Sequence, residues 1–550
     1  MSMWASIKSK IGSILKGVGE KMIGSKSVES KLNVTVAISG EMEKALNLWS
    51  AMYRNKAPWL HEPDDNDPSR IVSLGLPALI ASEKARTALI EFESEITTPT
   101  EEVEKPNPEY KNPPDTELNA WGQEVPKVVS ETIVEEQPKS DTARAEFLNE
   151  QYTKLKRQLR RQLEYGIALG GLIIKPYYVE TTSEQGEPIA NIEFDFIRAD
   201  CFFPLSFDVN GNITEAAFVQ PKVDKDVVYF RLEYHKWKNN TLEIINKAYK
   251  STNSNFMNIN SSDDLGKEVP LSEIPEWSNL QEKTTIKDVT KPLFGYFKMP
   301  EANTIDMTSP LGVSGYSRAI SLIKDADIQY STLLWEYEGG QMAIDIDRDA
   351  LRIDEGSGES KLGQLQQRLY RFVDISQTGE TYQPYSPALR DANYITGLNT
   401  ILMRIEDITG LSRGTLSDAS SEARTATELK ILKQRSYQSN ADIQQALEDA
   451  LKDVIYAMNA YCDLYSITPE GEYDVNFEWD DSIIVDVDSE LGKQITLLQN
   501  GLTSKKEVRQ WYFGETERQA EEALEAIHEE SMESMEDNIA MQQSMGANVD

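Results

Sequence analysis

Cysteine is nearly absent from this chain: its 550 residues include only Cys201 and Cys462, far apart in sequence. That rules against a disulfide framework or a thiolate metal site and suits a reducing compartment. Histidine is equally scarce, limited to His61, His235 and His528. None has a histidine or cysteine partner at ligand spacing, so no zinc site is expected. His235 sits among alternating strand residues and is expected to be structural. No run of about eighteen apolar residues occurs, so no transmembrane helix is expected. Catalytic signatures are also missing. There is no G-x-x-x-x-G-K-[ST] phosphate loop and no G-x-S-x-G nucleophile elbow. Gly17-Val18-Gly19 and Gly356-Ser357-Gly358 lack the third glycine of the dinucleotide fingerprint. Ser321 and Lys324 match a β-lactamase fragment without its companion motifs. Asp64, Asp65, Asn66 and Asp67 look superficially like calcium ligands but lack the alternate spacing, the glycine and the distal glutamate. No enzyme activity, cofactor or metal is expected.

Carboxylate is what abounds. The chain holds 91 acidic and 56 basic residues, a formal charge of −35. Such a surface argues against tight duplex binding, which comes mostly from Lys and Arg neutralising phosphates. It does not prevent DNA from passing nearby. The hydrophobic content of 39% is low for one compact globule. It suits exposed helices, acidic loops and surface reserved for neighbours. The length allows two to four domains.

At the N-terminus, Trp4, Ile7, Ile11, Ile14, Leu15, Val18 and Met22 share one helical face, with lysines around it. This is either an interfacial membrane helix or an arm that packs on protein; it lacks the apolar core of a signal peptide. Helical spacing marks Ile38–Tyr53 and Leu76–Phe92. Glu93–Asp141 holds seven prolines, thirteen acidic residues and four lysines, so an exposed or partly disordered insertion is expected. The helical stretch from Phe147 carries the basic cluster Lys154, Lys156, Arg157, Arg160 and Arg161. These charges are expected to meet acidic protein surface rather than nucleic acid. LIIKPYYVE, IANIEFDFI, EAAFVQ, VVYFRLEYHKW and TLEIINKAY predict antiparallel strands, with Asn210-Gly211 as a hairpin turn. The fold class is α+β.

The most telling order of elements lies between Pro310 and Cys462. A long amphipathic helix leads to a small strand-rich module, then a helix from Leu389 to Gly410, the loop LSRGTLSDASS, and a helix from Glu422 to Cys462. Two helices that leave a body, carry a small module and return make a stalk. Gly410 is placed to end one helix, and Gly414 permits a sharp turn. Leu429, Leu432, Ile443, Leu447, Leu451, Ile455 and Met458 form the packing face of the last helix. Near the C-terminus, Ser504 and Glu507 make a capping box. Glu515–Asp537 sets ten carboxylates against one arginine, a solvated face.

Several stretches of the chain resemble the portal proteins of tailed bacteriophages, in the SPP1-like and A118-like group from phages of Gram-positive bacteria. The resemblance is carried by GIALGGLIIKPYY, FDFIRADCFFPLSFDVNGNITEAAFV, RLEYHKW, LGKEVPLSEIPEW, KPLFGYFKMP and SPLGVSGYSRAISLIKDADIQYS, then ITGLSRGTLSD and TATELK. It spans roughly residues 30 to 515 and leaves out the acidic insertion and the tail.

The resemblance implies a ring-shaped homo-oligomer, a dodecamer at one capsid vertex, through which double-stranded DNA is packaged and ejected. On this sequence it implies an arm at 1–27, a wing at 28–307 with the insertion 93–141, and a first stem helix at 308–338. A small α/β clip at 339–387, a second stem helix at 388–410, a channel loop at 411–421 and a channel helix at 422–463 come next. Residues 464–486 return to the wing, 487–535 form a helical crown and 536–550 a tail. Arg413, Thr415, Ser417 and Arg424 are the expected DNA-contacting residues of the loop. Glu355, Glu359 and Lys361 are expected to dock partners at the clip. Those partners would be the terminase large subunit and then a head–tail adaptor, with scaffolding and major capsid proteins around the ring during procapsid assembly. No stable membrane association is implied; the site of action is the virion, after assembly in the bacterial cytoplasm. The alternatives are a capsid or neck protein without a DNA channel, or a metal-dependent nuclease or NTPase.

Overall fold

A computed structural model describes residues 25–60, 70–90, 92–106, 116–118, 124–126, 132–139, 141–182, 188–224, 227–251, 265–347, 370–373, 382–418, 426–479, 487–513, 520, 523–524 and 527. The arm at 1–24, His61, His528 and most of the low-hydrophobicity segment after Ser251 lie outside them. The chain divides into two compact units, Met1–Glu478 and Trp479–Asp550.

The first unit opens with helices α1 (Ser25–Leu32), α2 (Gly40–Tyr53) and α3 (Leu76–Ala88). Ser39 caps α2 by accepting from the Met42 amide, and Pro77 sits in the first turn of α3, where no amide hydrogen is required. The described parts of the region expected as an exposed or partly disordered insertion are strand: β1 (Phe92–Thr97), β2 (Thr100–Pro106), β3 (Thr116–Leu118), β4 (Glu124–Pro126) and β5 (Thr132–Pro138). β2 pairs antiparallel with β5, and β3 with β4. Proline forbids helix here, but it is tolerated at the ends of short two-stranded ribbons, where Pro106, Pro126 and Pro138 lie.

Helix α4 (Ala143–Leu169) is the pillar of this unit. Leu148, Tyr152, Leu155, Leu159, Leu163 and Ile167 recur every three or four residues and are all buried. Each such side chain contributes about 1.5–3 kcal/mol by leaving water. The helix packs on β1, on β6 (Gly171–Thr182) and β7 (Pro188–Arg198), and on α2 and α3. Arg157, Arg160 and Arg161 lie on its exposed side and have no ion pair among the described residues. Lys154 donates to Gln151 and Asn191, and Lys156 to the Ser94 carbonyl.

The largest sheet runs β12 (Lys267–Val269), β11 (Thr241–Ser251), β10 (Val227–Lys238), β9 (Ile213–Asp224) and β8 (Phe202–Phe207), with β13 (Lys283–Lys287) also on β11. Its pairs are antiparallel. Asn239 and Asn240, both left-handed, turn β10 into β11, and Asp208 closes the turn around Asn210-Gly211. Val28 of α1 and Val36 cover one face, against Phe203, Val219, Phe230 and Tyr249. A smaller sheet sets β6 between β7 and β14 (Gly295–Lys298).

Between these sheets lies a buried charge cluster. Glu233 of β10 receives Lys175 of β6 at 2.5 Å, Arg231 at 2.9 Å and His235 Nε2 at 2.6 Å. Burial alone would raise the Glu233 carboxyl, but Lys175 and Arg231 outweigh it and hold the group well below the usual range. Burial lowers His235, against the pull of Glu233. The histidine therefore serves the wall of the fold.

The first stem helix was expected from Pro310, but α5 starts ten residues later and spans Ile320–Gly339. The residues before it plug the core: Leu311, Val313, Tyr316 and Ala319 are buried, and the Tyr316 hydroxyl donates to the Trp49 carbonyl at 2.8 Å. Gly312 passes so close to the turn after α4 that a Cβ there would sit 2.1 Å from the Gly170 carbonyl oxygen. Amphipathic spacing before Ser317 thus reflects core contact without helix, and a single 3-10 turn at Ser317–Ala319 leads into α5.

Beyond α5 come β15 (Ala343–Asp347), β16 (Tyr370–Val373) and β17 (Tyr382–Tyr385), with β15 central, parallel to β16 and antiparallel to β17. α6 (Asp391–Thr409) returns along α5. α7 (Ala426–Tyr465) is a continuous helix of 40 residues, about 60 Å at 1.5 Å per residue. Ile443, Leu447, Leu451, Ile455 and Met458 are buried; Leu429 and Leu432 have side chains outside the described set. α7 packs on β6, β14, α3 and α4. β18 (Asp474–Trp479) pairs with β1, and Phe477 stacks on Phe92.

The second unit contributes α8 (Val487–Gln499) and α9 (Lys505–Phe513). The Ser504 hydroxyl accepts from the Glu507 amide, and Glu507 accepts from the Ser504 amide, the reciprocal box its spacing predicts. Trp511, Tyr512 and Phe513 are exposed.

Candidate functional site

The site is built on the turn that joins α6 to α7. Gly410 ends α6 at φ 74°, a left-handed conformation that a side chain disfavours, and the Leu411 amide donates back to the Glu406 carbonyl at 3.0 Å. A Cβ at 410 would meet the Ser439 hydroxyl of α7 at 2.9 Å, so close helix approach also calls for glycine here.

Glu406 organises the loop beyond Gly410. Its side chain is fully buried, and its Oε1 accepts from the amides of Gly414 (3.2 Å), Leu416 (2.6 Å) and Ser417 (2.8 Å). Its Oε2 accepts from the Ser417 hydroxyl at 2.8 Å. Asp407, the next residue, takes Arg413 in a forked pair, at 2.8 Å and 3.2 Å. Asn399 accepts from the Asp418 amide at 2.8 Å. Helix α6 thus supplies three side chains that hold the loop from within.

The expected loop residues fall into different places. Arg413 and Thr415 are exposed. Arg413 is paired with Asp407, and the Thr415 hydroxyl donates to the Ser412 carbonyl at 2.7 Å. Ser417 is buried and committed to Glu406. Arg424 lies outside the described residues, as do Glu355, Glu359 and Lys361 of the strand module. Glu406 was missed in the sequence because a glutamate in an acidic helix carries no local mark; its partners lie eight to eleven residues on.

Beside this turn is a cavity of about 300 Å³ between Glu301, Arg318, Asp407, Gly410, Ser439 and Asp442. Its acidic lining does not converge as metal ligands, and no group of three or more metal-ligating side chains occurs among the described residues. No helix among them is long and apolar enough to cross a membrane.

The stalk made by α5 and α6 is pinned at both ends. At its base, buried Asp327 accepts from Trp59 Nε1 at 2.9 Å and the Leu74 amide at 2.8 Å; burial raises its carboxyl. At its far end Arg390 forks onto Glu336, with Nη2 at 2.8 Å, and these hydrogen bonds lower the Glu336 carboxyl. Between these pins the stalk exposes Ile328 and Trp335 on α5 and Ile395 on α6. One chain alone leaves these three side chains in contact with water.

Residues 132–537 match a family model described as phage portal protein, SPP1 Gp6-like. No curated protein matches the chain.

Proposed function

The chain belongs to the SPP1 Gp6-like phage portal proteins, a structural family of the virion capsid, and on that premise we propose that it forms the ring around which one capsid vertex is built and through which duplex DNA moves. The family match over 132–537 carries this reading. The exposed apolar faces of α5 and α6 support it, because a closed ring needs two different surfaces on each subunit. In this reading 28–307 is the wing, α5 and α6 are the stem, 411–421 faces the channel and α7 is the channel helix. The strand module at 339–387 docks the terminase motor during packaging and a head–tail adaptor afterwards. The net charge of −35 gives DNA little to bind along the wall. Arg413 and Thr415 touch passing phosphates briefly, with Arg413 exchanging between Asp407 and the phosphate. Hydrolysis of ATP resides in the separate motor.

Native mass spectrometry and electron microscopy of the purified full chain test this. A closed ring, a dodecamer in the virion, with a central hole wide enough for duplex is expected. A monomer or dimer at micromolar concentration across salt conditions would count against it.

A further inference from the structure

We propose that Glu406 is the positioning residue of the channel loop: a single buried carboxylate on α6 latches 414–417 into one preformed shape and so fixes where the loop tip stands. The proposal rests on the portal reading for its meaning but on geometry for its substance. A loop with Gly410 at one end and Gly414 within it has wide conformational freedom when unbound. Here that freedom is removed by one side chain, which gathers the Gly414, Leu416 and Ser417 amides and the Ser417 hydroxyl at 2.6–3.2 Å. Hydrogen bonds to a carboxylate are roughly twice as strong as neutral ones, and the two to Ser417 are buried.

The latch shapes the loop in two ways. It turns Ser417 inward, so the exposed tip is Arg413, Gly414 and Thr415. Asp407, adjacent to the latch, draws Arg413 sideways along α6. The tip that meets the channel is therefore stiff, and its one cation is already paired. Such a tip touches a moving duplex without gripping it. Because the latch sits on the last turns of α6, any shift of that helix carries the loop tip with it as one piece.

Hydrogen exchange on the full chain, assembled as it exists, tests the latch directly. Glu406→Leu removes both acceptors, whereas Glu406→Gln keeps one carbonyl oxygen. Amides of 414–417 are expected to exchange at least about tenfold faster in the leucine variant, with the glutamine variant between it and the parent, while α4 stays unchanged. Ser417→Ala removes one arm and the second acceptor of the Gly414 amide, so it should loosen Gly414 and Ser417 and leave Leu416 as in the parent. Unchanged protection at 414–417 in Glu406→Leu overturns the latch. Faster exchange throughout α4 and β10 as well would make Glu406 a general folding residue and equally overturn it. DNA retention is the second readout: rings of Glu406→Leu that form normally should retain less packaged DNA. Loosened amides with parental retention would overturn the positioning role. A parent chain that forms no ring would sink the portal reading and leave the exchange result standing.

Discussion

Two side-chain clusters carry the sharpest expectations at the scale of single residues. Between the two sheets, Glu233 answers two cations, buried Lys175 and half-buried Arg231. Glu233→Gln takes this anion from Arg231 and leaves Lys175 the more distant Asp195, at 4.0 Å, and should cost about 3–5 kcal/mol, read as a lowered urea midpoint. His235 makes the same cluster sensitive to acid. Burial holds it below its ordinary value near 6.5, so the folded chain carries it neutral while the unfolded chain protonates it. Its contribution is full above about pH 6.5 and is lost as pH falls toward the folded value. Glu233 adds a further loss only where carboxylates titrate, at lower pH. Between about pH 7.5 and about pH 5.5 the urea midpoint should fall, and His235→Gln should flatten that fall; parallel slopes would remove His235 from the effect. At the loop, Arg413→Glu places a carboxylate opposite Asp407 and inverts the charge of the tip. Rings should still assemble, because the Glu406 bonds are untouched, while packaged DNA or its retention drops. Normal retention in an intact ring would take Arg413 out of the mechanism.

Among elements, the joint between α4 and α7 depends on one residue. Arg144, buried in the first turn of α4, reaches Asn459 Oδ1 at 2.6 Å and Asp463 Oδ1 at 2.7 Å on α7. It also donates to the Thr468 hydroxyl and to the carbonyls of Thr468 and Pro469. Removing it ends all five of these hydrogen bonds, and Arg144→Ala should cost at least about 2–4 kcal/mol. Arg144→Lys keeps the charge but not the fork and should recover only part. Thermal melts of the three proteins order them; equal melting points would show that α4 and α7 are held by apolar contact alone. The strand module makes a separate prediction. Reversing charge at Glu355, Glu359 and Lys361 should weaken binding of the terminase motor in a pull-down and leave the ring intact. A ring that falls apart instead would make that segment a contact between subunits.

For the whole molecule, the proposed ring makes a prediction at the exposed side chains of α5. Trp335 is 51% exposed and Ile328 38%, on a helix whose other side is locked by Asp327 and Glu336. If neighbours cover these residues, Trp335→Glu together with Ile328→Glu should leave the circular dichroism of the subunit unchanged and shift native mass spectra from rings to small species. Rings as stable as the parent's would mean that this face points to solvent in the assembly. The three exposed arginines of α4 fit a related role, since an acidic chain of charge −35 offers the same chain a surface to meet them.

Local chemistry alone determined a good part of this molecule. The Ser504–Glu507 box, the glycine stop at 410, the strands between Gly171 and Ser251 and the buried stripe of α7 all arise from neighbours a few residues apart, and they stand where the residues put them. The family itself was legible as text, because its motifs keep their order along the chain. Tertiary structure decided the rest. Residues 310–316 carry a helical spacing of apolar side chains, yet close packing of Gly312 on Gly170 and the reach of Tyr316 to Trp49 keep them out of the helix, which is entered through a 3-10 turn at Ser317–Ala319. The acidic, proline-rich stretch from Glu93 to Asp141 pairs with itself as strands in its described parts, which self-repulsion along the sequence does not foretell. Ser417 reads as an exposed hydroxyl in a polar loop; a glutamate eleven residues earlier turns it inward. Contacts between residues far apart in sequence, or buried by a third segment, have no local signature, and the shape of the loop between α6 and α7 rests on a contact of that kind.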